Sequence, residues 1–227
     1  MLKKGLCCLL SVSFILFLFL EVIDISCFDR SFYEKEYAKI GVAEDIGISL
    51  EDLMDATDVL LNYTRQKRED MVVEAEIKGQ IREVYNEREK AHMVDVSALY
   101  MNAMKIKNGC RVIFVVCILL LYFMHEDYGF TLSQIFNRVS LLFLALIGAV
   151  ALYAASDFNT FWIRFHHVFF TKNDYWLLNP KTDILINMVP EQFFYDLVFK
   201  IVLLFFTGFL LANGIAVAYR KKALKNA

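Results

Sequence analysis

Four stretches of this chain are apolar and free of charge: residues 6–20, 112–124, 139–156 and 201–219. A helix crosses the hydrocarbon of a bilayer with about 20 largely apolar residues at about 1.5 Å each. In lipid every backbone amide must be satisfied within the chain, so runs of this kind are read as helices. The second run reaches spanning length from residue 104 when Lys105, Lys107 and Arg111 extend their apolar stems to the interface. The fourth reaches it from Phe193, with Asp196 and Lys200 in its first turns, where the two are expected to pair at spacing four. Hydrophobic residues make up 58% of the 227, against about 45–50% in a soluble domain, and the excess is concentrated in these runs.

The pattern predicts a mainly α fold, a four-transmembrane-helix integral membrane protein with a largely helical extracytoplasmic cap. The expected boundaries are helices over 1–27, 104–124, 139–156 and 193–219, a cap over 28–103, a cytoplasmic loop over 125–138, an extracytoplasmic, interfacial segment over 157–192 and a cytoplasmic tail over 220–227. Lys3 and Lys4 precede the first helix, and Arg220, Lys221, Lys222 and Lys225 follow the last. The positive-inside rule puts both ends in the cytoplasm, as an even helix count requires. The loop over 125–138 carries one Arg and adds little.

The first run also has the shape of a signal peptide, but Glu21-Val22-Ile23-Asp24 offers no small-x-small cleavage site. Asp24-Ile25-Ser26-Cys27 resembles a lipobox with an aspartate in place of an aliphatic residue, so a retained anchor is expected. Cys27 and Cys110 lie near outer helix ends, where a disulfide is geometrically conceivable but not established by spacing. No CxxC or zinc-type spacing occurs.

Residues 28–107 hold 17 acidic and 12 basic side chains, a net charge of −5. That excludes a polybasic lipid-headgroup patch and disfavours nucleic acid as a partner. Residues 33–48, with Gly41 and Gly47, read as irregular. Ser49-Leu50-Glu51-Asp52 carries a helix capping signal, and apolar periodicity continues to Asn62-Tyr63. Residues 65–78 are polar and suit a brief hairpin or loop; a second helix is expected over 81–101. Little core is expected within the cap, which would rest on the membrane helices.

Each external segment carries a candidate histidine, His92 in the first and His166 in the second. His92 shares a helix face with Glu89 and Asp95, so a neighbouring carboxylate can fix its tautomer. A single histidine on a helix is as readily a surface decoration. His166 lies in an aromatic belt, which by itself is ordinary interfacial anchoring. The belt also contains Asp157, His167, Lys172, Asn173, Asp174, Asp183 and Glu191, and polar groups at the bilayer boundary are costly unless satisfied or used. Asn179-Pro180-Lys181-Thr182-Asp183 is turn chemistry, and Val189-Pro190-Glu191 opens the last helix. The segment is expected to bring His166 near His92.

No nucleophile elbow, H-E-x-x-H, P-loop or dinucleotide fingerprint is present. Two histidines without a hydroxyl or thiol nucleophile suit proton transfer between groups that the substrate supplies, one as base and the other as acid or oxyanion stabiliser. A structural or sensory protein with incidental histidines, a transporter, and a metal-dependent hydrolase at the lipid interface are the other readings. Transport is disfavoured because only Asn213 and Thr207 lie deep in a span.

The run Phe165-His166-His167-Val168-Phe169-Phe170, followed by Asn173-Asp174-x-Trp176-Leu177-Leu178-x-Pro180-x-Thr182-Asp183 and Pro190-Glu191-x-Phe193-Phe194, resembles the signature of the lipoprotein intramolecular transacylases (Lit). Glu89-x-x-His92-Met93-x-Asp95-Val96 is similar to that family's other marked stretch. The resemblance covers essentially the whole chain. It implies a multi-pass bacterial plasma-membrane enzyme that moves the sn-2 acyl chain of an S-diacylglyceryl-cysteine to the cysteine α-amino group. The product is a lyso-form lipoprotein; no external acyl donor, cofactor or metal is used. Diacylated lipoproteins and membrane lipid are the implied partners. The family's two essential histidines fall at His92 and His166. Glu89 or Asp95 would orient His92, while Asn173 and Asp183 would polarise the ester or position the amine. His167 occupies a variable position and takes no role. Asn179 stands where many relatives carry an acidic residue before the proline, and the turn survives that change.

Overall fold

A computed structural model describes residues 1–124 and 128–225 of the chain. The expected loop over 125–138 and tail over 220–227 therefore lie partly outside the described residues. Among those described, four helices are long and apolar enough to cross a membrane: α1 (Leu2–Cys27), α5 (Glu87–Phe123), α6 (Gly129–Ser156) and α9 (Glu191–Lys225). The chain divides into two compact units. One comprises Met1–Ile23, Met104–Trp162 and the chain from Ile201 onward; the other comprises Asp24–Ala103 and Ile163–Lys200.

The first unit is held by interlocking apolar side chains. Cys7, Leu10, Cys117 and Leu121 form one buried cluster, and Ile15, Phe136, Phe205 and Phe209 form another. Phe19 meets Phe205 edge-on at 5.4 Å between ring centroids, and Phe14 meets Phe114 at 5.6 Å. Lipid is as apolar as leucine, so close packing and interhelical hydrogen bonds, rather than the hydrophobic effect, hold such helices together. The bond from Asn137 Nδ2 to Asn213 Oδ1, 3.1 Å, is one of these. Leu142, Leu146, Leu152, Leu210 and Ile215 stay exposed, as lipid-facing positions do.

The second unit is helical with one hairpin. It holds α2 (Arg30–Ile40), α3 (Val42–Ile46), α4 (Leu50–Thr64), β1 (Glu74–Ile77), β2 (Gln80–Glu83) and α8 (Leu185–Met188). The start of α5, most of α7 (Phe158–Phe169) and the start of α9 complete it. Ser49 caps α4 as expected: its hydroxyl accepts the Asp52 N–H at 3.0 Å. Contrary to the irregular segment expected over 33–48, residues 30–40 and 42–46 are helical. Gly41 and Gly47 end α2 and α3 in the left-handed conformation, with φ of 81° and 76°, because a residue without Cβ reaches that region freely.

This unit has a core of its own, unlike the thin cap expected. Tyr37, Leu53, Tyr85, Met188 and Phe193 are essentially inaccessible. Met188 and Phe193 come from the far end of the sequence, so the core is invisible to any local pattern. The Tyr85 hydroxyl donates to the Ala56 carbonyl at 2.8 Å, which lets the ring be buried with its polar tip satisfied.

Further boundaries move. The helix expected over 81–101 begins at Glu87 and runs without a break into the span expected over 104–124, because no proline interrupts it. Ile81 belongs instead to β2 and is exposed, while Lys78 and Gly79, with φ of 54° and 80°, make a primed hairpin turn. The hairpin lies at 74–83 rather than within 65–78. Helix α6 starts at Gly129, ten residues before the expected span, and α9 runs from Glu191 through most of the expected tail. Asp196 and Lys200 do not pair with each other. Lys39 reaches Asp196 and Lys200 reaches Asp29, each at 2.7 Å, binding α9 to the region of α2. Cys27 and Cys110 are both free thiols.

Candidate active site

The site lies within the second unit and starts from the cap of a helix. Asn86 Oδ1 accepts the N–H groups of Arg88 and Glu89 at 2.9 and 3.1 Å, and the Glu89 carboxylate returns to the Asn86 N–H at 2.7 Å. This reciprocal capping box fixes where α5 begins. It also fixes the face that carries His92 one turn later.

Four groups on or just before this first part of α5 then bond to the segment after α7. Asn86 Nδ2 donates to Asp183 Oδ1 at 2.9 Å. The Arg88 guanidinium donates to the backbone carbonyls of Asp174 and Leu177. Glu89 accepts the Leu185 N–H. Asp95 Oδ2 accepts from Asn173 Nδ2 at 2.8 Å. His92 sits in the middle of this strapped surface.

His166, in the last turn of α7, faces it. The two imidazoles lie 6.2 Å apart between centroids, inclined at 36°. His92 is 8% exposed and His166 is 6% exposed. Phe170 packs on both, edge-on to His92 at 5.2 Å and tilted against His166 at 5.5 Å. Its N–H donates to the His166 carbonyl at 2.7 Å. Trp176 stacks on His166 at 4.9 Å and 26°, and His167 meets that indole edge-on at 5.1 Å.

The His92 Nδ1 is buried and has no hydrogen-bond partner. Burial, joined by the nearby His166, pushes the His92 imidazole down to about 4; the Asp95 charge pulls weakly the other way. His92 lies in the second turn of α5, well before the apolar run, and at neutral pH it is an uncharged imidazole with its Nδ1 unpartnered. A neutral imidazole in that state can accept a proton.

The expected carboxylate partner of His92 is not made. Glu89, fully buried, gives its oxygens to the backbone N–H groups of Asn86 and Leu185. Burial raises its carboxyl above the usual range despite these bonds. Asp95 is engaged by Asn173 and reaches His92 through its charge. Asn173 is satisfied at both ends, since its Oδ1 accepts the Tyr175 N–H at 3.1 Å. Asp183 accepts from the Asn179 N–H, Thr182 Oγ1 and Asn86 Nδ2. Although burial opposes ionisation, these bonds and the charge of Arg88 hold its carboxyl below the usual range. Glu89, Asp95, Asn173 and Asp183 are thus framework around the histidines.

Asn86 and Arg88 were not among the sequence candidates. The Asn86-x-x-Glu89 spacing is itself a capping signature, but a helix placed from residue 81 buries it mid-helix. Among the described residues, no group of three or more His, Cys, Asp or Glu is arranged to hold a metal ion.

Four helices long and apolar enough to span a membrane, and a unit with two facing, buried histidines, define a helical integral membrane protein with a candidate acid–base site. The family model of the lipoprotein intramolecular transacylase Lit matches residues 8–194. The membrane integral Lit of Bacillus cereus has the same fold: TM-score 0.77 at 20% identity, over 99% of this chain and 98% of that one. Two structures of the B. cereus protein with a histidine replaced by arginine or by alanine give TM-scores of 0.75, also at 20% identity. They cover 100% and 99% of this chain and 95% and 96% of theirs. No curated protein sequence matches. The chain belongs to the lipoprotein intramolecular transacylase Lit family and is an acyltransferase.

Proposed function

We propose that this transacylase moves the sn-2 acyl chain of an S-diacylglyceryl-cysteine to the α-amino group of the same cysteine, with His92 and His166 as the acid–base pair. The observation that carries the reading is the facing pair itself, 6.2 Å between rings, with His92 Nδ1 unpartnered. The amine nitrogen attacks the ester carbonyl, forming the N–C bond of a tetrahedral intermediate. His92 takes the proton that the nitrogen sheds. The C–O bond to the glyceryl oxygen then breaks, and His166 supplies the proton which that oxygen needs. One proton moves from nitrogen to oxygen, and both histidines are restored by its transfer between them.

Nucleophile and acyl donor belong to one molecule, so the protein's task is to hold them in register, which replaces a second-order encounter by an effective molarity. Each proton transfer contributes roughly 10²–10⁴ in rate. The positive-inside rule, from Lys3, Lys4, Arg220, Lys221, Lys222 and Lys225, supports cytoplasmic termini and a site on the extracytoplasmic side of the bacterial plasma membrane. Lipoprotein N-termini reside there. Glu89, Asp95, Asn173 and Asp183 support the pair by bracing the backbone around it.

The test is mass spectrometry of a diacylglyceryl lipopeptide incubated with the protein in detergent. A product of unchanged mass that fragments to N-acyl-cysteine with a monoacylglyceryl thioether is expected. Loss of one acyl chain to water would identify a hydrolase instead, and loss of activity in chelator would identify a metal-dependent one.

A further inference from the structure

Trp176 is half-buried, yet its indole Nε1 is shut off from solvent and has no hydrogen-bond partner. Buried indole N–H groups ordinarily find an acceptor, and an orphan calls for a reason. The group can only donate. It stands beside His166, its ring stacked on that imidazole at 4.9 Å and held from another direction by His167 at 5.1 Å. The indole is therefore clamped in place by aromatic contacts alone, with its one polar group unused.

We propose that the Trp176 N–H donates a hydrogen bond to the carbonyl oxygen of the ester undergoing transfer and stabilises the oxyanion formed there, making Trp176 a catalytic residue. The inference rests on the acid–base reading of His92 and His166. The choice of acceptor follows from the reaction. The amine nitrogen must keep its lone pair for attack, and the glyceryl oxygen must receive the proton from His166. The carbonyl oxygen is left, and it gains negative charge as its carbon becomes tetrahedral.

A neutral donor suits an uncharged ester better than a cation would in a buried setting, where an unpaired charge is costly before substrate arrives. In a near-parallel stack the hydrogen-bonding atoms of both rings lie at the rims. An ester held along the rim can meet the indole N–H with one oxygen and the imidazole with the other. The indole keeps its proton throughout, so no bond to Trp176 forms or breaks.

The decisive variant replaces Trp176 with benzothienylalanine, in which sulfur stands for the N–H on a ring of the same shape; Trp176→Phe is the companion. Lipopeptide turnover and thermal melting are measured beside wild type. The expected result is a fall in kcat of about 10²-fold for the analogue, the scale of losing one oxyanion donor. KM should stay within about threefold, because the interaction is made in the transition state. Melting should be unchanged. Wild-type protein that fails to transfer the acyl chain overturns the acid–base reading itself. Wild type that transfers, with an analogue whose kcat stays within about threefold, overturns only the role of the N–H. A loss of kcat that comes with a lowered melting temperature overturns it as well, assigning Trp176 to packing.

Discussion

The carboxylate of Glu89 accepts the backbone N–H of Leu185, 96 residues further along the chain, in a setting from which solvent is excluded. The same side chain closes the capping box of α5 through the Asn86 N–H. One residue thus begins the helix that carries His92 and ties that helix to the segment that follows His166. Glu89→Gln keeps one acceptor but turns an NH2 group toward a backbone donor. A buried donor left without an acceptor costs about 1–3 kcal/mol, so the variant should unfold earlier by that amount in detergent. Turnover should fall only in step with the folded fraction. A variant as stable as wild type would remove Glu89 from the framework.

His92→Asn and His166→Asn should each lower lipopeptide turnover by at least about 10²-fold. The double variant should be scarcely worse than either single one, since groups that act as a unit lose their effect together. Initial rates with matched melting temperatures are the check. Near-normal turnover by either single variant would end the acid–base proposal.

The low value of about 4 for His92 has a consequence for stability. In the unfolded chain a histidine takes up its proton near about 6.5. Between pH about 6.5 and about 4 the unfolded state therefore binds the proton and the folded state does not. The contribution is fully present above that window and is lost as pH falls through it, by something on the order of 3 kcal/mol. Melting curves from pH 7 to pH 4 should show the decline, and His92→Gln should flatten it. Activity should follow another group: the rising limb of kcat/KM is expected near about 7.7–8.0, where the substrate amine is freed.

Asp95 acts on His92 by charge and on Asn173 by hydrogen bond. Asp95→Asn removes a negative charge that favours the imidazolium, so the His92 titration should move lower still. Nitrogen-15 spectra of histidine-labelled protein would follow it, and an upward move would contradict the assignment. Asn173→Ala leaves that charge but breaks the bond, so the titration should hold its position. Asn173→Ala should cost about 1.5–3 kcal/mol of stability, the scale of a hydrogen bond to a charged group, whereas Asp95→Asn keeps an acceptor for the Asn173 amide and should cost less.

The four spans are legible in the chain alone, since an apolar run long enough to cross a bilayer is a local property that tertiary context does not reverse. The sequence also marked His92, His166 and the motif residues around them, and it placed the cap of α4 at Ser49. Where α5 starts was written locally too, in Asn86-x-x-Glu89, but the apolar spacing of Ile81, Val84 and Tyr85 imitates helical periodicity across a strand and a turn.

The partners of each polar side chain, by contrast, exist only in the folded molecule. Glu89 and Asp95 share a helix face with His92, and spacing alone makes them its partners. The folded chain offers Glu89 the Leu185 amide and offers Asp95 the Asn173 side chain, from a segment some 80 to 100 residues away. A buried carboxylate goes to the donors that satisfy it best, and those donors exist only once distant segments have met. His92 is thereby left neutral, with its Nδ1 unpartnered, opposite His166, a state that no local pattern in the chain specifies.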